Sequence, residues 1–241
     1  MELVDGCDLK ALIQRRGALP FEVVTSIGMC VAKALAFAHK QQYRLQGERY
    51  TGLIHRDVKP QNILCSTAGD IKLADFGLAK PSHYVANTTT GSFVGTPQYA
   101  SPEQIMAVDI DSRTDIYSLG TVLYEMTAGR EMFPQTSVMS VFAARQANNF
   151  KNLSHARRGG VPRDLSAIID KCTKMNADDR FNTSIALLDC LEDCHRRLTG
   201  ERPEAVLEDY VLDRKLLAGV RCPPGGRQGA FSGLLRRLGR K

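Results

Sequence analysis

The sequence has no uninterrupted run of about 18 apolar residues, the length a bilayer-spanning helix needs. Its first residues, Met1-Glu2-Leu3-Val4-Asp5, lack the basic start and long apolar core of a secretion signal. No Cys-x-x-Cys pair occurs among the 7 cysteines. Cys190, Cys194 and His195 form the one cluster, and a tetrahedral metal site would need a fourth ligand that has no obvious source. Buried thiols in a reducing cytoplasm are therefore the expectation, rather than a disulfide framework or a zinc module. No internal repeat is present, which excludes a solenoid or propeller.

What is present is the composition of an ordinary globular domain, with 43% hydrophobic and 24% charged residues. The net charge of +6 is concentrated at one end. Residues 196–241 hold eleven Lys and Arg against five Asp and Glu, an excess equal to the whole net charge. The basic character thus belongs to a tail, and it says little about the partners of the remainder. Nucleic-acid binding has only this charge in its favour and is not expected. Phe231, Leu234, Leu235 and Leu238 interleave with basic residues up to Lys241, so weak contact of this segment with a membrane surface is a secondary expectation.

Asp8 is placed to cap a short helix ending at Gly17, and Pro20 to open a second that runs to about His39. The polar stretch Gln41 to Gly52 reads as a loop. Short apolar runs at Leu53-Ile54, Ile63-Leu64-Cys65 and Ile71-Lys72-Leu73 predict strands joined by tight turns. Residues 80–98 have no helical period and predict a long functional loop. From Ser101 the pattern is helical: one helix capped by Asp111 or Ser112 and ended by Gly129, then others near 136–147, 163–175 and 183–197.

The chemistry lies in His55-Arg56-Asp57-Val58-Lys59-Pro60-Gln61-Asn62, followed by Asp75-Phe76-Gly77. Phosphoryl transfer needs mainly positioning and charge compensation. One carboxylate must orient and deprotonate an attacking hydroxyl, a carboxylate and an amide oxygen must hold Mg²⁺, and a cation must meet the transferring phosphate. Asp57, Asp75, Asn62 and Lys59 are a matching set.

H-R-D-x-K-x-x-N followed by D-F-G resembles the signature of eukaryotic-type (Hanks-type) serine/threonine protein kinases. Further matches keep the family's order. Gly95-Thr96-Pro97-Gln98-Tyr99-Ala100-Ser101-Pro102-Glu103 resembles the substrate-docking loop and A-P-E motif, with Ser in place of the first Ala. Asp115-Ile116-Tyr117-Ser118-Leu119-Gly120 resembles the buried anchoring helix, and Arg180 the arginine that pairs with Glu103. The resemblance implies Asp57 as catalytic base, Lys59 on the γ-phosphate, and Asn62 and Asp75 on Mg²⁺. It implies the backbone of Glu2 and Val4 on adenine, Leu64 as the floor beneath it, and Asp8 and the Gln61 carbonyl at the ribose. Thr96 would bond Asp57 and Lys59 and shape the acceptor pocket. Thr88 and Thr90, which match bacterial receptor-type kinases best, become regulatory phosphosites whose phosphate Arg56 could meet. His55, Glu103, Asp115 and Arg180 take structural roles.

The fold class implied is α+β: a kinase-like C-terminal lobe, mainly helical with a few short strands. Residues 1–198 would form the catalytic domain from the hinge onward, and 199–241 a basic, flexible tail. The family's glycine-rich loop, strand lysine and helical glutamate have no counterpart, so the N-terminal lobe is expected to be missing. Two explanations stay open. The chain is a fragment of an active, ATP- and Mg²⁺-dependent kinase of protein substrates, or it is a non-catalytic binding module or pseudokinase fragment that docks another kinase chain or its substrate.

Overall fold

The protein is described by a computed structural model covering residues 4–45, 48–76, 80–81, 96–153 and 159–212. Glu2, Thr88, Thr90, Gly77, Gly95 and the tail residues 213–241 lie outside the described residues.

Asp8 ends strand β1 (Gly6–Asp8) and caps helix α1 (Leu9–Arg16), its Oδ1 accepting from the Ala11 amide at 2.8 Å. Gly17 closes that helix with φ 71°. Helix α2 (Phe21–Lys40) starts after Pro20 and buries Val23, Val24, Ile27, Val31 and Leu35, spaced as one helical stripe. By length and hydropathy α2 would suit a bilayer, yet more than half of it is buried inside the fold, as befits a core helix.

The stretch 41–52, expected as a loop, contains an antiparallel hairpin of β2 (Gln42–Leu45) and β3 (Glu48–Thr51), with Tyr43 facing Tyr50 and Arg44 facing Arg49. Its polarity hid the strand-favouring residues Tyr43, Tyr50 and Thr51, which are too few to announce a strand. The Gly52 amide donates to Gln41 O at 2.9 Å and closes its base.

Strands β4 (Leu53–Ile54), β5 (Ile63–Ser66) and β6 (Ile71–Leu73) fall where the apolar runs predict them. β5 lies between β1 and β6 in an antiparallel three-stranded sheet, and β4 pairs with β7 (Lys80–Pro81). Helix α3 (Pro102–Met106) opens on a complete capping box between Ser101 and Gln104. Helix α4 (Arg113–Ala128) is preceded by Asp111, which accepts from the Arg113 amide at 2.8 Å, while the Ser112 side chain makes no cap bond. Gly129 ends α4 in the left-handed conformation. Helices α5 (Val138–Gln146), α6 (Arg163–Cys172) and α7 (Ser184–Leu198) follow.

The chain does not leave the fold at residue 199. Helix α8 (Pro203–Leu212) buries Val206 and Leu207 against the core and sets Tyr210 6.0 Å from the Arg16 guanidinium. The expected tail thus begins at least fourteen residues later than the weakening apolar pattern suggested. Two apolar positions per short helix are enough when a groove already exists to receive them.

Helix α4 is buried along nearly its whole length, and glycine makes that possible. A Cβ on Gly120 would lie 2.5 Å from Cys172 Cβ, and one on Gly28 2.8 Å from a Leu123 methyl. Gly120→Ala must therefore separate α4 from α6. The expected loss is about 1–3 kcal/mol, read as a lower urea midpoint with unchanged slope.

Candidate active site

Asp115 stands in the first turn of α4 and is fully buried. Its Oδ1 accepts from the Arg56 amide and its Oδ2 from the His55 amide, each at 2.8 Å. His39 Nε2 donates to Oδ2 at 2.8 Å, and the Ser184 hydroxyl meets His39 Nδ1 at 3.1 Å. Burial alone would raise the Asp115 carboxyl; the imidazole and the loop amides outweigh it and hold the group below the ordinary carboxylate range. The charge compensates a backbone that needs fastening, because Arg56 sits at φ 66°, where a side chain is strained. The Arg56 carbonyl is taken by Gln104 Nε2 at 2.9 Å, so α3 and α4 grip the loop together.

His55 uses both ring nitrogens. Nε2–H donates to Ala74 O at 3.0 Å, which leaves Nδ1 to accept from the Asp57 amide at 3.3 Å. Its ring centroid is 4.4 Å from that of Phe76. These contacts join the Asp57 loop to the one carrying Asp75. A second tie runs from the Ala74 amide to Asn62 O at 2.8 Å. Asp75 itself has φ 61° and is exposed.

Around Asp57 the expected groups converge. Lys59 Nζ is 2.7 Å from Asp57 Oδ2, and Asn62 Nδ2 donates to the same oxygen at 2.9 Å and to Asp57 O at 2.8 Å. Both donors take Oδ2, leaving Oδ1 to accept a proton. Lys59 also donates to Thr96 Oγ1 at 3.4 Å. Thr96 thus reaches Asp57 through Lys59 rather than by the direct bond expected.

The nucleotide-side residues are also adjacent. β1 pairs with β5 so that Asp8 faces Leu64 across the ladder, and Val4 lies just before β1. Leu64 is half-buried, and Gln61 is exposed on a 3-10 turn spanning Pro60–Asn62. One oxygen of Asp8 is committed to capping α1.

The donor set fits Mg²⁺. With its nitrogen given to Asp57, Asn62 has its amide oxygen for a cation, and Asp75 adds a carboxylate two residues beyond β6; both are hard oxygen ligands. Among the described residues no group of three or more His, Cys, Asp or Glu side chains could hold a metal by itself. Mg²⁺ here would need further oxygens from water and nucleotide phosphates. The Cys190–Cys194–His195 cluster is not such a site. His195 is spent on Thr25 Oγ1 at 2.8 Å and Glu201 O at 3.1 Å, and burial pushes the Cys194 thiol up to about 11.

Glu103 and Arg180 form the expected buried pair, with Nη1–Oε1 at 2.7 Å and Nη2–Oε2 at 2.9 Å. Thr114 adds a hydroxyl at 2.7 Å to Oε1. Burial would raise the Glu103 carboxyl; Arg180 and Thr114 outweigh it and hold the group low.

Sequence reasoning missed a second fastening of the same loop. Tyr99 donates its hydroxyl to Glu125 Oε2 at 2.6 Å, and Lys10 Nζ bonds Glu125 and Glu131 at 2.7 Å each. Lys10, Glu125 and Glu131 look like surface charges in the sequence. Their signal was a buried tyrosine hydroxyl that had to find a partner.

Compared with known proteins, residues 1–190 match the family described as protein kinase domain. A probable serine/threonine-protein kinase of Clostridium perfringens is 40% identical over 195 residues, covering 80% of this chain and 26% of the relative. The serine/threonine-protein kinase PknL of Mycobacterium tuberculosis is 37% identical over 212 residues, covering 88% and 47%. PknB of the same species is 35% identical over 238 residues, covering 95% and 36%. The chain therefore spans between about a quarter and a half of the length of these relatives.

Two outcomes follow from the buried carboxylates. Asp115→Asn turns an amide nitrogen toward the backbone amide of His55 or Arg56, which can only donate; a loss of about 3 kcal/mol is expected, measured by urea unfolding. For Glu103 the folded pKa lies below the unfolded value of about 4.3. Its contribution is complete above that value and is lost as pH falls through the folded pKa. The stability gap between the native chain and Glu103→Gln should narrow below about pH 4.3; a gap constant down to pH 3 would contradict this.

Proposed function

This chain belongs to the protein kinase domain family, and we propose that it supplies the acceptor-side machinery for transferring the ATP γ-phosphate to serine or threonine hydroxyls of protein substrates. The observation that carries the reading is the Lys59–Asp57–Asn62 cluster, with both donors on one Asp57 oxygen and Thr96 beside Lys59.

In this reading Asp57 Oδ1 accepts the proton of the substrate hydroxyl as that oxygen attacks phosphorus. Asn62 and Lys59 keep the carboxylate turned to the acceptor. Lys59, already between Asp57 and Thr96, would meet the transferring phosphate as a point charge. Asn62 and Asp75 would hold Mg²⁺, which supplies neutralisation of the phosphate charge when bound. Leu64 would form the floor beneath adenine, and the backbone at Glu2 and Val4 would hydrogen-bond it. Lys at the second position after Asp57 supports serine/threonine over tyrosine acceptors, and the names of the relatives agree.

No glycine-rich phosphate-covering loop precedes Asp57 in the 241 residues, and the lower-lobe reading rests on that. A non-catalytic docking module remains the alternative, but it has no physical need for Asp57, Asn62 and Asp75 in this arrangement. The test is phosphate transfer from labelled ATP by the protein as isolated from its source, with and without Asp57→Asn. Loss of at least about a hundredfold in turnover is expected for the variant, with peptide binding retained. Equal transfer by both proteins, or none by the native one, would overturn the reading.

A further inference from the structure

Arg145 is the largest fully buried side chain of the described residues, with 1% exposure. It comes from α5, and none of the described carboxylates pairs with it. Nη2 donates to two consecutive carbonyls, Pro97 O at 2.8 Å and Gln98 O at 2.9 Å. Its Nε and Nη1 have no acceptor among the described residues. The guanidinium lies 5.2 Å from the Tyr117 ring and 5.1 Å from the Phe133 ring.

Burying a cation without a carboxylate and with two idle donors is costly to folding, and an apolar side chain of similar volume would often serve stability as well or better. Where a fold keeps such a group, the return is to be sought in what it holds. Here it holds the Pro97–Gln98 turn, immediately after Thr96, which Lys59 joins to Asp57. The same loop is held at its far end by Arg180 through Glu103, and the Arg180 guanidinium stacks at 4.8 Å on the same Tyr117 ring. The Gln98 side chain adds a bond to Gln135 O at 2.8 Å. One buried aromatic ring thus seats two arginines, each fastening one end of the segment 97–103.

We propose that Arg145 is a positioning residue for the protein substrate: by drawing the Pro97 and Gln98 carbonyls inward it fixes the loop face on which the acceptor peptide docks beside Asp57. It touches neither substrate nor nucleotide and acts through the loop. The proposal rests on the phosphotransfer reading above.

The test compares the native protein, as isolated from its source, with Arg145→Met, Arg145→Lys and Asp57→Asn. The acceptor is the best peptide from a serine/threonine peptide array, and amide exchange at residues 98–101 is followed separately. Arg145→Met should melt at the same temperature or higher and keep kcat and the KM for ATP. Its peptide KM should rise about tenfold, and its loop amides should exchange faster. Arg145→Lys, whose ammonium can still reach a carbonyl, should lie between. Unchanged loop exchange in Arg145→Met overturns the proposal whatever the activity does. So does an unchanged peptide KM, or a lowered melting temperature with kcat falling in step, which would make Arg145 a packing residue. If the native protein shows no Asp57-dependent transfer to any peptide, the phosphotransfer reading fails, and the substrate role of Arg145 with it.

Discussion

The site depends on one buried carboxylate. Asp115 accepts the amides of two consecutive residues, His55 and Arg56, and thereby holds Arg56 in a backbone conformation it would not choose. That kink turns the following residue, Asp57, toward Lys59 and Asn62. The charge is tolerable in the interior because every oxygen has donors and because His39 sits against it. His39 is held in turn by Ser184 at the start of α7. A chain of polar contacts thus runs from the C-terminal helices through α2 and α4 to the loop that carries Asp57.

The segment 97–103 shows the same logic with opposite charge. Arginines and a lysine from distant segments reach 97–103: Arg145 from α5, Arg180 from the turn before α7, and Lys10 from α1 by way of Glu125 and Tyr99. Loops carry many backbone groups that no ladder satisfies. Long cationic side chains can meet such carbonyls from a helical scaffold without moving the helices. Fastening of this kind suits the proposed chemistry, since misplacing a reacting group by about an ångström is expensive.

How much was legible in the sequence follows from the range of each interaction. Asp57, Lys59 and Asn62 lie within one short stretch, and their spacing already states their geometry. Asp115 and the Glu103–Arg180 pair were legible through family resemblance, because nothing local says that Asp115 turns inward rather than capping its own helix. The strands at 53–54, 63–66 and 71–73 announce themselves as apolar runs between turn residues. The hairpin at 42–51 does not, since its strands are polar and their pairing is satisfied by each other rather than by a core. Helix α8 was masked by its charge, its buried residues Val206 and Leu207 lying among Glu204, Glu208 and Asp209. Arg145 was illegible for the strongest reason: arginine is rarely buried unpaired, so every sequence rule places it at the surface.

The central proposal is that Asn62 and Asp75, on segments joined by the Ala74–Asn62 backbone bond and the His55 brace, would hold a divalent cation together with nucleotide. It is tested most directly by nuclear magnetic resonance of the protein as isolated from its source, with Mn²⁺ as a paramagnetic stand-in for Mg²⁺ and a non-hydrolysable ATP analogue. Nucleotide-dependent broadening of the Asn62 side-chain amide and the Asp75 backbone amide is the expected result. Nucleotide binding that leaves both signals sharp, or metal broadening centred elsewhere, would contradict the account.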